Sequence, residues 1–551
     1  DVNYVMRMLE AKGISFLVKD LPELGRACDS ALAAGLPFVL PSYMDERNSN
    51  GHHFLQWLTR WIWDAEGRMV ENPSWLAIKG LRQVTYLFYK LELEYDKTSA
   101  QAVIESFKET EAELWRDYPP DRPDSSESLL VLARTLTCRV FGHFDHLDIV
   151  PRHGPGSVAT GESQPEKVTF KRLYRRLEDV YPFTEFNVFS LGHLCDEASY
   201  LESLTELETG TAKVVLVPKD SRGPRLISCE PLEYQWIQSG LGDKIAAHLE
   251  QHRLTRGQVN FTDQSVNRRL ALSASKDREW VTLDLKDASD RVSQWLVNQL
   301  FCGTQLLSAL NACRSTATLL PDSTVVNLAK FAPMGSGLCF PVEAFVFYAV
   351  SVAALVHMGQ TWAQARKSVY VYGDDIIVRA QVGPLVMAAL ESVGLKLNYA
   401  KCCVATPFRE SCGIDAFNGE DVTPFRIKST WSALLNGDPG AIASWVSYSN
   451  LLSTKGFVRS SDIVRKDIDS VCYSLFGIRI PFVTPIPSAR TIWVDGKLVT
   501  TKVVDLPTGM FYVPHFCEDA YELSKSKGCR FRSNPDLQRL EVRTLIVDAI
   551  V

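Results

Sequence analysis

The sequence predicts a mixed core of helices and strands, of the α+β or α/β kind, and three observations carry that prediction. Between about Val214 and Val422, short β-branched runs are separated by helical patterns; examples are Val214–Val217, Trp280–Leu285, Val369–Tyr372 and Ile376–Val378. Two of these runs are linked through Gly373 and Asp374, which reads as a tight hairpin because glycine accepts positive φ at a turn. Phe340 to Met358 is almost wholly apolar. Pro341 and Glu343 lie inside that stretch and a Gly-rich turn precedes it, so a buried helix is expected there rather than a membrane span.

Before this core, about 200 residues alternate helical patterns with Pro- and Gly-rich breaks. Ala100 to Trp115, charged and Ala-rich, reads as an exposed helix that Pro119 to Pro123 breaks, and Val150 to Gly161 reads as an irregular loop. Within the core, Pro384 and Gly394 bracket a further helix, as expected for proline in a first turn and glycine just past a last one. Beyond Pro424 the pattern turns to helices and then to β-like segments, Arg490–Val494 and Lys497–Val504, which suggests a separate C-terminal lobe.

The chain has 551 residues, 46% hydrophobic and 23% charged, enough for roughly three or four lobes at about 150 residues per domain. With 59 Lys and Arg against 65 Asp and Glu, its net charge of −6 excludes a uniformly basic coat, so any nucleic-acid site must be a local channel. The 13 cysteines include the adjacent pair Cys402 and Cys403 but no CxxC, which argues against structural zinc and for a reducing cytosol. Asp1 to Leu9 carries no basic region followed by an apolar one, so no signal peptide is expected in it.

The sharpest chemical signal is Tyr372-Gly373-Asp374-Asp375. Two carboxylates at a hairpin tip repel each other and are costly to desolvate, and a divalent cation relieves both problems; alone, the motif reads equally well as a solvated turn. Asp284, ending the run Trp280–Leu285 on the face opposite Val281, Leu283 and Leu285, can supply a third carboxylate. Three converging carboxylates suit two Mg²⁺ ions, with Mn²⁺ as a substitute, and two such ions serve nucleotidyl transfer. Six residues on, Asp290 can accept from a ribose 2′-hydroxyl, or else serve as a helix N-terminal acid. In Pro333-Met-Gly-Ser-Gly337, the glycines permit close approach of nucleotide or template, and Ser336 and Gly337 are candidate ribose or phosphate contacts. Lys213, Lys219, Arg222 and Arg225 form a basic cluster suited to triphosphate and template. Lys401 is a candidate general acid for the departing pyrophosphate. His143 and His146 have no further ligand cluster nearby and read as structural.

The order of these motifs resembles the series F, A, B, C and D of viral RNA-dependent RNA polymerases, and more closely the replicase subunit of single-stranded RNA bacteriophages of the levivirus type. The supporting stretches are Val217-Pro-Lys219, Cys229-Glu-Pro231, Asp263-Gln-Ser-Val-Asn-Arg-Arg-Leu270, Phe408-Arg-Glu-Ser-Cys-Gly413 and the pattern ending at Phe425. The similarity is dense from Lys213 to Lys428, sparse at His153-Gly-Pro-Gly156 and faint in the C-terminal lobe.

That resemblance implies an α+β right-hand fold whose palm is an antiparallel sheet backed by helices. Residues 1–210 would be the N-terminal region and fingers, 211–275 fingers with the basic nucleotide-access segment and the start of the palm, 276–425 the palm, and 426–551 the thumb and C-terminal lobe. It also implies primer-independent synthesis of RNA on an RNA template. Metal roles would fall on Asp284, Asp374 and Asp375, and nucleotide contacts on Lys219, Arg222, Arg225, Asp290 and Ser336. Host elongation factors Tu and Ts, with a ribosomal protein in some members, are the partners it implies, in the cytoplasm of an infected bacterium and with no membrane. Ser336 stands where such replicases often carry Asn, and Pro341 and Phe345 stand where many animal-virus polymerases carry Thr and Asn. A reverse transcriptase is the nearest rival, disfavoured by Asp290 and Gly373; a non-catalytic RNA-binding palm is a more distant one.

Overall fold

The computed structural model describes residues 1–44, 52–91, 93, 95, 97–154, 156–187, 198–220 and 223–476, together with four C-terminal strand segments. Its contacts divide the chain into two compact units. The first takes in Leu24–Arg82 and Tyr95–Thr423; the second gathers Val2–Glu23, Gln83–Glu94 and Pro424–Val551.

At the centre of the first unit lies the apolar helix, Cys339–His357. A helix apolar on every face belongs inside a core, and nearly all of this one is buried, Glu343 included. It packs among the helices Ser128–Phe141 and Gly383–Ser392 and the strand Val369–Tyr372. The expected buried helix is therefore what forms.

Against this core stands a three-stranded antiparallel sheet, in the order Trp280–Leu283, Asp375–Arg379, Val369–Tyr372. The antiparallel order resolves the open choice in favour of α+β. All four residues of Trp280–Leu283 are buried, Thr282 among them, so the alternation expected for a half-exposed strand is replaced by burial on both faces. Its second face is covered by the helix Ser265–Asp277, whose Ala271 and Ala274 cluster with Trp280 and Ile377, and its edge is met by Cys403, whose amide donates to the Thr282 carbonyl at 2.9 Å.

A second sheet runs in the order Gly223–Cys229, Thr211–Asp220, Ala317–Leu319, Val325–Asn327. The helix Lys97–Asp117 covers part of it with Ile104 and Phe107, against Val214, Leu320 and Leu328. This helix was expected to be exposed. Its spacing explains the difference: Ile104, Phe107, Glu111 and Leu114 recur at helical intervals and all four are buried. The helix stops at Asp117, just before the proline-rich break.

In the second unit, Trp431–Leu435, Pro439–Thr454 and Val458–Phe476 form a small helical cluster around Ile442, Val446 and Ile468. Arg490–Val494 pairs with Lys497–Thr501, and Arg530–Asn534 with Arg539–Arg543, as antiparallel hairpins.

Candidate active site

The three aspartates meet at one end of the first sheet for local reasons. Asp375 pairs with Tyr372 across a turn made by Gly373 and Asp374 alone, and Gly373 takes φ +59°, the left-handed conformation that glycine adopts without strain. Asp284 follows immediately where Trp280–Leu283 ends, beside Asp375–Arg379. There the chain changes partners. Leu285–Lys286 pairs with Lys396–Leu397, and the Asn398 amide donates to the Asp284 carbonyl at 2.9 Å.

The acids differ in setting. Asp374 is exposed at the turn, while Asp284 and Asp375 are partly buried. Burial, and then the charges of Asp374 and Asp284, push the Asp375 carboxyl up to about 6, although the Cys412 amide donates to its Oδ2 at 3.1 Å. Asp284 is also raised, chiefly by burial; Lys401 and Asn398 pull it the other way and Asp374 adds to the rise. Asn398 Nδ2 donates to Asp284 Oδ2 at 2.7 Å, and the Lys401 ammonium lies 3.6 Å from Oδ1. Among the described residues, no three His, Cys, Asp or Glu side chains are gathered into a ready-made coordination shell. The expected general acid Lys401 thus sits as a neighbour of Asp284.

The hairpin is braced from behind. Asn260 donates its amide to the Val371 carbonyl, Asn267 Nδ2 reaches the Asp375 carbonyl at 3.2 Å, and the Tyr372 hydroxyl donates to the Phe261 carbonyl at 2.8 Å. Residues 263–270, singled out in the sequence, therefore include part of the buttress of the acidic turn. The stretch Phe408–Gly413 supplies the Cys412 amide already described, from a turn in which Cys412 takes φ +48°.

The Gly-Ser-Gly loop has a different local explanation from the one expected. A Cβ on Gly335, at φ +116°, would stand 2.2 Å from the Ser228 carbonyl oxygen, and one on Gly337 3.0 Å from the Gln238 backbone. These glycines let the loop press against the strand Gly223–Cys229 and the helix Leu232–Gln251. Ser336 is buried and donates to Gln238 Oε1 at 3.1 Å, which also accepts from the Gly337 amide at 3.2 Å. Donation by Ser336 to a phosphate would compete with that bond, since a hydroxyl has a single hydrogen to give.

Lys213 and Arg225 are exposed on the hairpin of Thr211–Asp220 with Gly223–Cys229. Lys213 is paired with Cys229, and Arg225 with Val217, four residues from Lys213, so both side chains share one face. Arg222 and the side chain of Lys219 lie outside the described residues. Asp290 sits in the short helical turn Ser289–Arg291, its Oδ1 accepting from Lys330 Nζ at 2.7 Å.

Sequence reasoning missed Lys330 and Glu343. The Glu343 carboxyl is held well above its ordinary range by burial, with Asp374 and then Asp290 adding to the rise. Charge inside an apolar run was the available signal for Glu343; nothing local marked Lys330.

Residues 193–436 match the family RNA replicase, beta-chain. The resemblance carried by the motifs is thus borne out over that segment. The RNA-directed RNA polymerase subunit beta of Enterobacteria phage SP is 38% identical over 218 residues, which are 39% of this chain and 36% of that protein. The beta chain from Escherichia phage MS2 is 36% identical over 215 residues, 39% of this chain and 37% of its own. The similarity therefore spans little more than a third of these replicase chains. A solved structure, the RNA-dependent RNA polymerase of a human picorbirnavirus, aligns over 83% of this chain and 88% of its own at 12% identity, with a TM-score of 0.43.

Proposed function

We propose that the chain is an RNA polymerase that joins ribonucleoside triphosphates on an RNA template to replicate a viral genome, by two-metal nucleotidyl transfer and without a primer. The observation that most supports this is the meeting of Asp284 with the Asp374–Asp375 turn at one sheet end, where Asp375 is pushed up to about 6 by burial and by the other two acids. An all-carboxylate donor set fits hard cations such as Mg²⁺, or Mn²⁺ in its stead, and Asp284, Asp374 and Asp375 would hold them. When bound, such ions lower the pKa of an attacking 3′-hydroxyl and stabilise the leaving pyrophosphate.

The chain's own groups have complementary work in this reading. Lys213 and Arg225, on one face of their hairpin, offer positive charge to triphosphate and template; Lys219 and Arg222 join them on sequence grounds. Asp290 accepts from the ribose 2′-hydroxyl, Gly337 and Ser336 line the approach, and Lys401 gives a proton to the departing pyrophosphate. Elongation factors Tu and Ts, a ribosomal protein and the cytoplasm of an infected bacterium belong to the same proposal through the family resemblance.

The test is a primer-free assay with an RNA template, the four ribonucleoside triphosphates and Mg²⁺, run with and without proteins recovered on the chain from bacterial lysate. Template-length RNA is expected in at least one arm. A marked preference for deoxyribonucleotides would instead support a reverse transcriptase.

A further inference from the structure

The ammonium of Lys330 is wholly buried, a placement that lysine tolerates only when its charge is met. Here it is met twice. Nζ lies 2.7 Å from Asp290 Oδ1 and 3.2 Å from Glu111 Oε1, and it stands 3.7 Å from the centre of the Phe107 ring. Burial pulls the ammonium down, but the two acids outweigh it and leave Lys330 above its ordinary value.

The two acids are not equivalent. Glu111, from the helix Lys97–Asp117, is itself interior, and its Oε2 accepts from the Ala329 amide at 2.8 Å. Asp290 keeps 30% of its side chain exposed and borders a cavity of about 500 Å³. The same cavity is lined by the hydroxyl-bearing residues Thr98, Ser99, Ser106 and Thr110. Lys330 is therefore anchored on one side to an interior acid and on the other to an acid that faces open space. The turn Ser289–Arg291 and the strand Val369–Tyr372 both pack against the helix Cys339–His357, whose Glu343 carboxyl is raised by burial and then by Asp374 and Asp290.

We propose that Lys330 is a positioning residue for sugar selection: anchored by Glu111, it fixes one oxygen of Asp290 so that the other is aimed at the 2′-hydroxyl of the incoming nucleotide. This rests on the polymerase reading above. A carboxylate with one oxygen tied loses the freedom to rotate away, and a site built to pair with a hydroxyl rejects the substrate that lacks it. Arginine, with its wider fork, would not reproduce a point charge held between two acids and a ring.

The test compares ribo- and 2′-deoxyribonucleotide incorporation by the full chain and by Lys330→Met, Lys330→Arg, Asp290→Asn and Glu111→Gln. Lys330→Met is expected to lower the ribo/deoxy ratio of kcat/KM about tenfold or more, through a higher KM for ribonucleotides. Asp290→Asn should do the same, and the Lys330→Met/Asp290→Asn pair should be no worse than either alone. Glu111→Gln, which weakens the anchor but leaves the 2.7 Å contact between Lys330 and Asp290, should relax the ratio in the same direction and by less than Lys330→Met. A parallel fall for both sugars in Lys330→Met, which is what loss of packing alone would give, or a ratio left unchanged by Glu111→Gln, would overturn the assignment. If the unaltered chain shows no ribonucleotide preference, it is the polymerase reading that fails. Should Lys330→Met not fold, Lys330→Arg carries the same question, with a relaxed ratio expected and an unchanged one overturning the role.

Discussion

The Lys401 ammonium stands 3.6 Å from Asp284 Oδ1, opposite the carboxamide of Asn398, which donates to Oδ2. Asp284 is thus the acid of the trio with a fixed cation beside it. A lysine in that position weakens the pull of the acids on a metal ion, and it can also deliver a proton to a leaving group. Lys401→Ala should therefore slow single-turnover incorporation by about 10²-fold, as for loss of a general acid. It should also lower the Mg²⁺ concentration giving half-maximal rate, by about 2- to 10-fold for the loss of one partly screened charge. A metal titration under single-turnover conditions reads both. An unchanged rate removes the proton-transfer role, and a higher Mg²⁺ requirement removes the counter-ion role.

The acids themselves are tested by substitutions that keep shape and remove charge. Asp284→Asn and Asp374→Asn should each reduce Mg²⁺-dependent synthesis by about 10³-fold or more, several kcal/mol of lost transition-state stabilisation. RNA binding, measured by filter retention, should hold within a few-fold, because phosphate affinity resides in basic groups. Synthesis at the unaltered rate by either variant would take the metal role away from that residue.

How far the sequence could be read depended on distance along the chain. The acidic turn was legible because its signal is local: two β-rich runs, a glycine and paired aspartates lie within ten residues. Asp284 followed from strand alternation, although the strand proved buried on both faces. The Glu111–Lys330–Asp290 chain was not legible, since its members are 40 residues or more apart and the central one looks like any surface lysine until its burial is known. The two glycines of the Gly-Ser-Gly loop were noticed for the right property, close approach, but what both of them approach is protein backbone. Sequence marks where a Cβ is intolerable without saying what lies opposite.

Burial at Glu230 gives a dependence of stability on pH. This side chain is 1% exposed and accepts from the Ser315 hydroxyl; burial pushes its carboxyl from 4.5 to about 7, against the opposing influence of Ser315, Gln238 and Arg314. Between those two values the folded state holds a proton that the unfolded chain has lost, so this group's contribution to stability falls as pH rises from about 4.5 to 7. The full difference is on the order of 3 kcal/mol. Glu230→Gln should flatten that part of the profile and be the more stable protein at pH 8, as read by urea midpoints across the range. A profile of the same slope in the variant would show that other groups carry it.

Gly373 is where backbone and packing demands coincide. Its φ of +59° is strained for any side chain, and a Cβ there would lie 2.1 Å from Phe340 Cε2. The left-handed backbone should cost an alanine about 1–2 kcal/mol, and forcing the ring aside about 1–3 kcal/mol more. The ring belongs to a cluster, edge-on to both Phe261 and Tyr372, so displacing it also disturbs the brace behind the turn. Gly373→Ala should lower Tm and, by shifting Asp374 and Asp375, reduce synthesis more than it reduces RNA binding. Phe340→Ala removes the clash and leaves the backbone strain. In a double-mutant cycle, Gly373→Ala should therefore cost about 1 kcal/mol or more less in the Phe340→Ala background than in the unaltered chain. Equal costs in the two backgrounds would mean that the ring yields freely and that φ alone makes glycine necessary.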